Sequence, residues 1–184
     1  HWQSTGLRLV GFASRVITAK TFNESCSHGA NKADLLSETT LNLVKSLSQR
    51  YRGTSDTVDV YCDRHGGRRY YAGVLQHVFP DQLAQVVSES KQESAYRLLA
   101  GDHQMSVRFT VKGDTFTPVA LASMQAKYLR ERFMQGLNQY FATRYHGDLI
   151  PTAGYPVDAD RFLATIQPVV QHENIPTESL VRSR

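Results

Sequence analysis

Cysteine is scarce in this chain of 184 residues: there are two, Cys26 and Cys62. They show neither metal-ligand spacing nor a partner motif, which argues against a zinc site and a disulfide scaffold. The two thiols are free to pair, but the plainer expectation is a reduced, cytoplasmic chain. No apolar run approaches the roughly 20 residues of a membrane-spanning helix, so no membrane partner is expected. The start, His1-Trp2-Gln3-Ser4, has no basic-then-apolar leader and no methionine, and the expectation is a fragment or processed form. Also missing are internal repeats, low-complexity runs, a nucleophile elbow, a P-loop, a dinucleotide fingerprint and a defensible Ser-His-Asp order. His28, His65, His77, His103, His146 and His172 show no ligand spacing and read as loop or surface residues.

What is present is ordinary in bulk. The hydrophobic fraction of 41% and charged fraction of 21% suit one soluble α/β-sized domain with a sizeable core. Net charge is +4, a mild excess that fits a polyanionic partner without requiring one.

Leu7 to Thr21, rich in Leu, Val, Phe and Ile, reads as one strand or a bent hairpin. Asn23 to Asn31 is a loop, and from Lys32 a helix places Leu36, Thr40, Leu43 and Leu47 on one face. Tyr51 to Asp56 is a turn. Val58 to Cys62 is a short buried strand ending at Asp63. His65-Gly66-Gly67-Arg68 forms a sharp loop, followed by helical spacing from Tyr71 to Val78. Val86 to Leu99 and Met105 to Val111 read as two strands joined through Gly101-Asp102. Pro118 opens the longest helix, to about Arg144, expected to bury Leu121, Met124, Tyr128 and Phe133. Asp160 to Val170 is a last helix, and residues 171–184 form a loose tail. Strands alternating with helices predict an α/β domain with a mostly parallel or mixed sheet.

The stretch carrying chemistry runs from Phe109 to Asp158. Lys112-Gly113-Asp114 ends a strand in a carboxylate, and Thr152-Ala-Gly-Tyr-Pro-Val-Asp158 delivers a second one through a Gly/Pro turn. Carboxylates on a strand end and a turn, with cations nearby, suit a divalent metal and a phosphodiester. Asp158 is equally an N-cap for the helix after it. Ser123, Lys127 and Arg130 share a helical stripe, read either as phosphate contacts or as a solvated face. Asp63 closes a strand, where open α/β sheets place ligands. Arg68 and Arg69 beside the Gly-Gly turn fit either a phosphate cradle or a plain strand-to-helix connection. Glu89 and Glu93 read as solvent-facing.

These blocks resemble ribonuclease HII, the type 2 ribonuclease H family. Its strand ending in Gly-Asp, its Ala-Ala-Ser-Ile-Ile-Ala-Lys and Arg-Asp-Arg helix, and its Ser-Gly-Tyr-Pro-Ser-Asp turn are similar to three blocks here. They are Lys112-Gly113-Asp114, then Ala120-Leu-Ala-Ser123-Met-Gln-Ala126-Lys127 with Arg130-Glu131-Arg132, then Ala153-Gly154-Tyr155-Pro156-Val157-Asp158. The likeness is tight from Lys112 to Asp158 and looser upstream. It implies a ribonuclease H-like fold, a mixed sheet flanked by helices. It also implies Mg²⁺ or Mn²⁺ at Asp114 and Asp158, with Asp63 a further metal candidate. Substrate would be held by Lys127, Arg130, Ser123, Arg68 and Tyr155. The substrate implied is an RNA–DNA hybrid or a ribonucleotide-containing duplex.

Three departures accompany the resemblance, one being Glu131 where the family has an aspartate. The family's Asp-Glu-Ala-Gly-Arg-Gly motif is missing from this chain. Its nearest lookalike, Asp63-Arg64-His65-Gly66-Gly67-Arg68, lacks the glutamate, falls late and aligns better with the family's fourth strand. Ser88 to Gly101 reads as an insertion. The expectation is therefore a single ribonuclease H-like domain lacking upstream acids. Its rivals are a non-catalytic nucleic-acid-binding or interaction domain of the same fold and another metal-dependent phosphotransfer enzyme.

Overall fold

The computed structural model describes residues 3–6, 8–50, 57–101 and 103–183. Leu7, the Tyr51 to Asp56 turn, Asp102 and the first two residues lie outside them. Six helices and four strands follow in the order α1 (Ala19–Ser27), α2 (Lys32–Arg50), β1 (Thr57–Asp63), α3 (Ala72–Val78), β2 (Leu83–Glu89), β3 (Glu93–Ala100), β4 (His103–Thr110), α4 (Thr117–Ala142), α5 (Pro156–His172) and α6 (Thr177–Leu180). The sheet is mixed, in the order β1-β4-β3-β2. β1 pairs with β4 in parallel, and the other two pairings are antiparallel. The protein is α/β with a mixed sheet flanked by helices, consistent with a ribonuclease H-like fold.

Alternation along the strands assigns the two faces of the sheet. Val60, Cys62, Met105, Val107, Phe109, Tyr96 and Leu98 point to one side and form the main core with Leu41 of α2 and Leu75 and Val78 of α3. Tyr71 and Phe109 stack in it with ring centroids 3.6 Å apart. The Tyr96 hydroxyl donates to Glu89 and accepts from the Tyr71 backbone N–H, so this interior phenol is satisfied. A second core gathers Phe141 of α4 with Phe162, Ile166, Val169 and Val170 of α5. Helix α4 joins the two. At 1.5 Å per residue its 26 residues span about 39 Å, and within it only Val119 and Phe141, near its two ends, are buried.

Several elements differ from the sequence reading. Residues 8–18 form neither strand nor hairpin but an extended strap, because no strand among the described residues lies beside them. The strap ends where the Thr18 hydroxyl caps α1 through the Thr21 N–H at 3.2 Å. Half of the expected loop from Asn23 is thus helical. Val86 to Leu99 is two strands, since the Ser90 hydroxyl accepts from the N–H groups of Gln92 and Glu93 and turns the chain. Met124, Tyr128 and Phe133, expected in the core, are 68%, 58% and 57% exposed. Along the middle of α4 the apolar stripe faces an open trough of about 1440 Å³ shared with α2 and the strap. The segment expected to be a loose tail carries α6, and Asn23 ties it down by donating to the Glu178 and Val181 carbonyls. Strand β1 lies at one edge of the sheet and pairs with β4 alone among the described strands.

Candidate active site at the carboxyl end of the parallel strands

β1, β4 and β2 run in one direction, so their carboxyl ends share one edge of the sheet with the start of β3. Register puts Asp63 of β1 opposite Thr110 of β4, and Thr110 opposite Glu93 of β3. All three lie on the face turned away from α2 and α3, in one row with neighbours about 4.8 Å apart. Past Thr110 the backbone turns sharply. Lys112 takes the left-handed conformation (φ 58°), which costs a non-glycine residue on the order of 1–2 kcal/mol and is the kind of strain that gathers at working sites. The turn aims the Gly113 N–H at the Asp63 carboxylate, 3.2 Å away. A Cβ on residue 113 would lie 3.0 Å from Thr110 Oγ1 and 3.2 Å from Asp63 Cα, so a larger residue would have to push its neighbours back by a few tenths of an ångström.

Asp114 follows in the 3₁₀ turn Gly113–Thr115, beside Asp63. Its carboxylate is exposed and has no hydrogen bond or ion pair. Thr110 is 9% exposed, and its hydroxyl has no hydrogen-bond partner. A buried hydroxyl without a partner is uncommon and calls for a ligand or water. Here it lies opposite Asp63 in register and under Gly113. Among the described residues no group of three or more His, Cys, Asp or Glu side chains is close enough to hold one metal ion. Two carboxylates and a hydroxyl suit one hard cation whose remaining positions go to water or a phosphate oxygen. They fall short of the set that a two-metal centre draws upon.

Asp158 is elsewhere. It lies in the first turn of α5. Its Oδ2 accepts from Thr152 Oγ1 at 2.6 Å and the Ala153 N–H at 2.7 Å, and its Oδ1 from Arg161 at 2.6 Å. These donors hold its carboxyl down, to about 2 from the usual 3.8, with the Thr152 hydroxyl bond the largest cause. The turn is fastened to the middle of α4: Arg130 donates to the Ala153 carbonyl at 2.5 Å, and Asn138 to the Thr152 carbonyl at 2.8 Å. Arg130 and Asn138 stand 13 and 21 residues beyond the start of α4, which puts Asp158 on the order of 20 Å or more from Asp114. The paired ligation of one metal by Asp114 and Asp158 is therefore not what the fold assembles.

The other residues singled out in the sequence divide similarly. Arg130 bonds the Ala153 carbonyl and lies over the Tyr155 ring at 5.1 Å, so both belong to the Asp158 turn. Arg68 is ion-paired to Asp34 of α2, and Arg69 donates to the Glu89 carbonyl at 2.9 Å. The Gly-Gly loop is thereby a brace rather than an open cradle. Ser123 and Lys127 are exposed on α4 without partners. His65 bonds Ser37 at 3.0 Å, and burial pushes it down to about 4, so it is a neutral core residue. Both cysteines are free thiols, and burial pushes that of Cys62 up to about 12.

Sequence reasoning passed over Thr110, whose importance comes from a missing partner, and the row that joins Asp63, Thr110 and Glu93. The alternation of β4 was the available signal, since it sends Arg108 and Thr110 to the face opposite Val107 and Phe109. No family model matches the chain, and no curated protein or solved structure matches it. No helix among the described residues is long and apolar enough to cross a membrane.

Proposed function

We propose that this protein is a metal-dependent nucleic-acid phosphodiesterase of the ribonuclease H kind, with Asp63 and Asp114 as its metal ligands. The carrying observation is that Asp63 ends β1 beside β4, and the turn after β4 brings the Gly113 N–H, one residue before Asp114, onto its carboxylate, at the carboxyl ends of adjacent parallel strands, the ligand position of open α/β sheets. The resemblance in Lys112 to Asp158 supports the chemistry, with an RNA–DNA hybrid or ribonucleotide-containing duplex as substrate and the cytoplasm as location.

Bound Mg²⁺ or Mn²⁺ would supply Lewis acidity toward a phosphoryl oxygen and lower the pKa of water. The chain's own residues do the rest. Gly113 N–H fixes the Asp63 carboxylate, leaving its second oxygen free. Asp114, unbonded and exposed, offers charge at the same point. Thr110 offers one further oxygen from below. Glu93, in the same row, adds negative charge two strands from Asp63.

The second reading, a nucleic-acid-binding domain of the same fold without catalysis, is favoured by one observation. Asp158 is saturated by internal donors, so the site has fewer acids than the resemblance implies. A hybrid duplex incubated with Mn²⁺ separates the two. Cleavage by the wild type that is lost in Asp114→Asn supports the enzyme. Binding without cleavage supports the binding domain.

A further inference from the structure

We infer that the open face of the sheet, through Arg97 and Arg108, holds the phosphate backbone of a nucleic-acid strand and leads it to Asp63 and Asp114. The inference rests on reading those carboxylates as a phosphodiester site. Two contacts establish which side chains share this face. Ser106 Oγ is bonded to Asp59 across the β1–β4 pair, and the Arg108 guanidinium lies over the Tyr61 ring at 5.9 Å. Arg97, opposite Ser106 in the β3–β4 register, stands on the same side. The other face is packed by α2 and α3, whereas on this one, among the described residues, the start of α4 comes up at the β1 margin, where Tyr61 stacks on Phe116 at 4.8 Å.

Arg97 and Arg108 are exposed, and neither has an ion-pair partner among the described residues. Asp59, Asp63 and Glu93 all stand diagonal to Arg108 in register; Asp59 is bonded to Ser106, and among the described residues none of the three is ion-paired to either arginine. Several arginines elsewhere in the protein are held by internal bonds: Arg64 by the β2–β3 turn, Arg68 by Asp34, Arg161 by Asp158. Two guanidiniums left free on adjacent strands are therefore a distinctive feature of this face. A guanidinium fork matches a phosphate oxygen pair.

Their spacing points toward the site. Arg108 precedes Thr110 by two residues on one strand, which sets it about 7 Å from the Asp63–Thr110 row. Arg97 lies one strand over and a further row back, about 13 Å from that row along the strand direction. The line from Arg97 through Arg108 to Asp63 is diagonal and unobstructed by any helix. Tyr61 is already in contact with Phe116 and Arg108, so the face presents charge rather than a platform for bases. Such contacts position a backbone and carry no sequence information.

The test is equilibrium binding of the full chain to a labelled RNA–DNA hybrid and to the same RNA single-stranded, with EDTA present so that metal plays no part. The wild type should bind at least one form, with affinity falling between ~50 and ~200 mM salt. The double variant Arg97→Gln/Arg108→Gln should lose at least ~10-fold in affinity and about 1.8 of the log–log salt slope on duplex, or about 1.4 on single strand. Arg108→Lys should keep most of the slope. If the double variant does not fold, each single Gln variant is expected to remove about half of that slope. A double variant that binds like wild type, or a wild type that binds neither form, overturns the proposal. Arginine-dependent binding with no cleavage under any metal ends the catalytic reading and leaves this inference standing. Cleavage that is indifferent to both arginines does the reverse.

Discussion

Asp114 and Asp158 both sit at glycine-containing turns flanking α4, and the protein uses them in opposite ways. At Asp158 every strong donor nearby is directed inward: a hydroxyl, a backbone N–H and a guanidinium all end on its two oxygens. Bonds to a carboxylate are worth more than neutral ones, and here they tie the 150–154 segment to α5. At the other end of α4, Asp114 has no bonded partner, Asp63 has a single N–H at 3.2 Å, and Thr110 has none. One carboxylate has been spent on holding the chain together, and the other pair is left able to take a ligand. The same residue type in a similar motif is thus a latch in one place and a binding group in the other. What separates them is the count of donors within reach, which depends on packing rather than on the motif.

The largest effect expected from this contrast is on metal binding. Asp63→Asn or Asp114→Asn should lower Mn²⁺ affinity by at least about 100-fold, since loss of even an outer-shell partner costs 10–100-fold. Hybrid cleavage should fall with it. Asp158→Asn should leave both within about a factor of two. Calorimetric titration of the three variants tests the ordering. Loss of Mn²⁺ binding in Asp158→Asn alone, with Asp114→Asn unaffected, would invert the comparison.

The sequence made the ends of elements visible and left their neighbours hidden. Asp63 closes an apolar run and is the last residue of β1, as read from its own surroundings, whereas Asp114, expected to end a strand, follows β4 in the 3₁₀ turn. Their adjacency was not legible, because it depends on β1 pairing in parallel with β4 across 47 residues of register offset, Thr57 to Gln104. Asp114 and Asp158 looked like partners because they bracket one helix, yet a helix of 26 residues keeps its two ends apart. The apolar stripe of α4 was legible through Leu121 and Met124, but periodicity does not say whether anything covers it. Among the described residues of that helix only Val119 and Phe141, near its two ends, are buried. Leu9, Val10 and Phe12 have strand-like composition but belong to no strand among the described residues, so composition alone misassigned the strap.

A smaller effect is expected at the one backbone position that lets the two aspartates meet. Gly113→Ala puts a methyl 3.0 Å from Thr110 Oγ1 and 3.2 Å from Asp63 Cα, and the second of these is backbone that has to shift. Overpacking of this kind costs about 1–3 kcal/mol. Both the urea midpoint and Mn²⁺ affinity should drop. By contrast, Gly136→Ala meets open space and should raise stability slightly, since alanine favours a helix interior over glycine by about 1 kcal/mol. Equal responses at the two glycines would mean that the close approach at Gly113 plays no part in the site.

The smallest effect is on stability at the latch, and pH gives it a signature. Asp158 is held at about 2 in the folded protein, against an ordinary 3.8. A carboxylate depressed by folding stabilises the native state above its unfolded value and loses that contribution as pH falls through its folded value. At neutral pH, Asp158→Asn should therefore melt below wild type. The gap should be steady down to about 4 and close between there and about 2. Thr152→Val removes the hydroxyl that donates to Asp158 and accepts from the Gly154 N–H. It should cost about 1–2 kcal/mol at neutral pH and, in an Asp158→Asn background, noticeably less, because the two share one bond. Neither change should alter Mn²⁺ titration at Asp63 and Asp114. A melting difference between wild type and Asp158→Asn that persists unchanged down to pH of about 2 would show that the carboxylate's charge is not what fastens the turn, and that packing around Thr152 holds it instead.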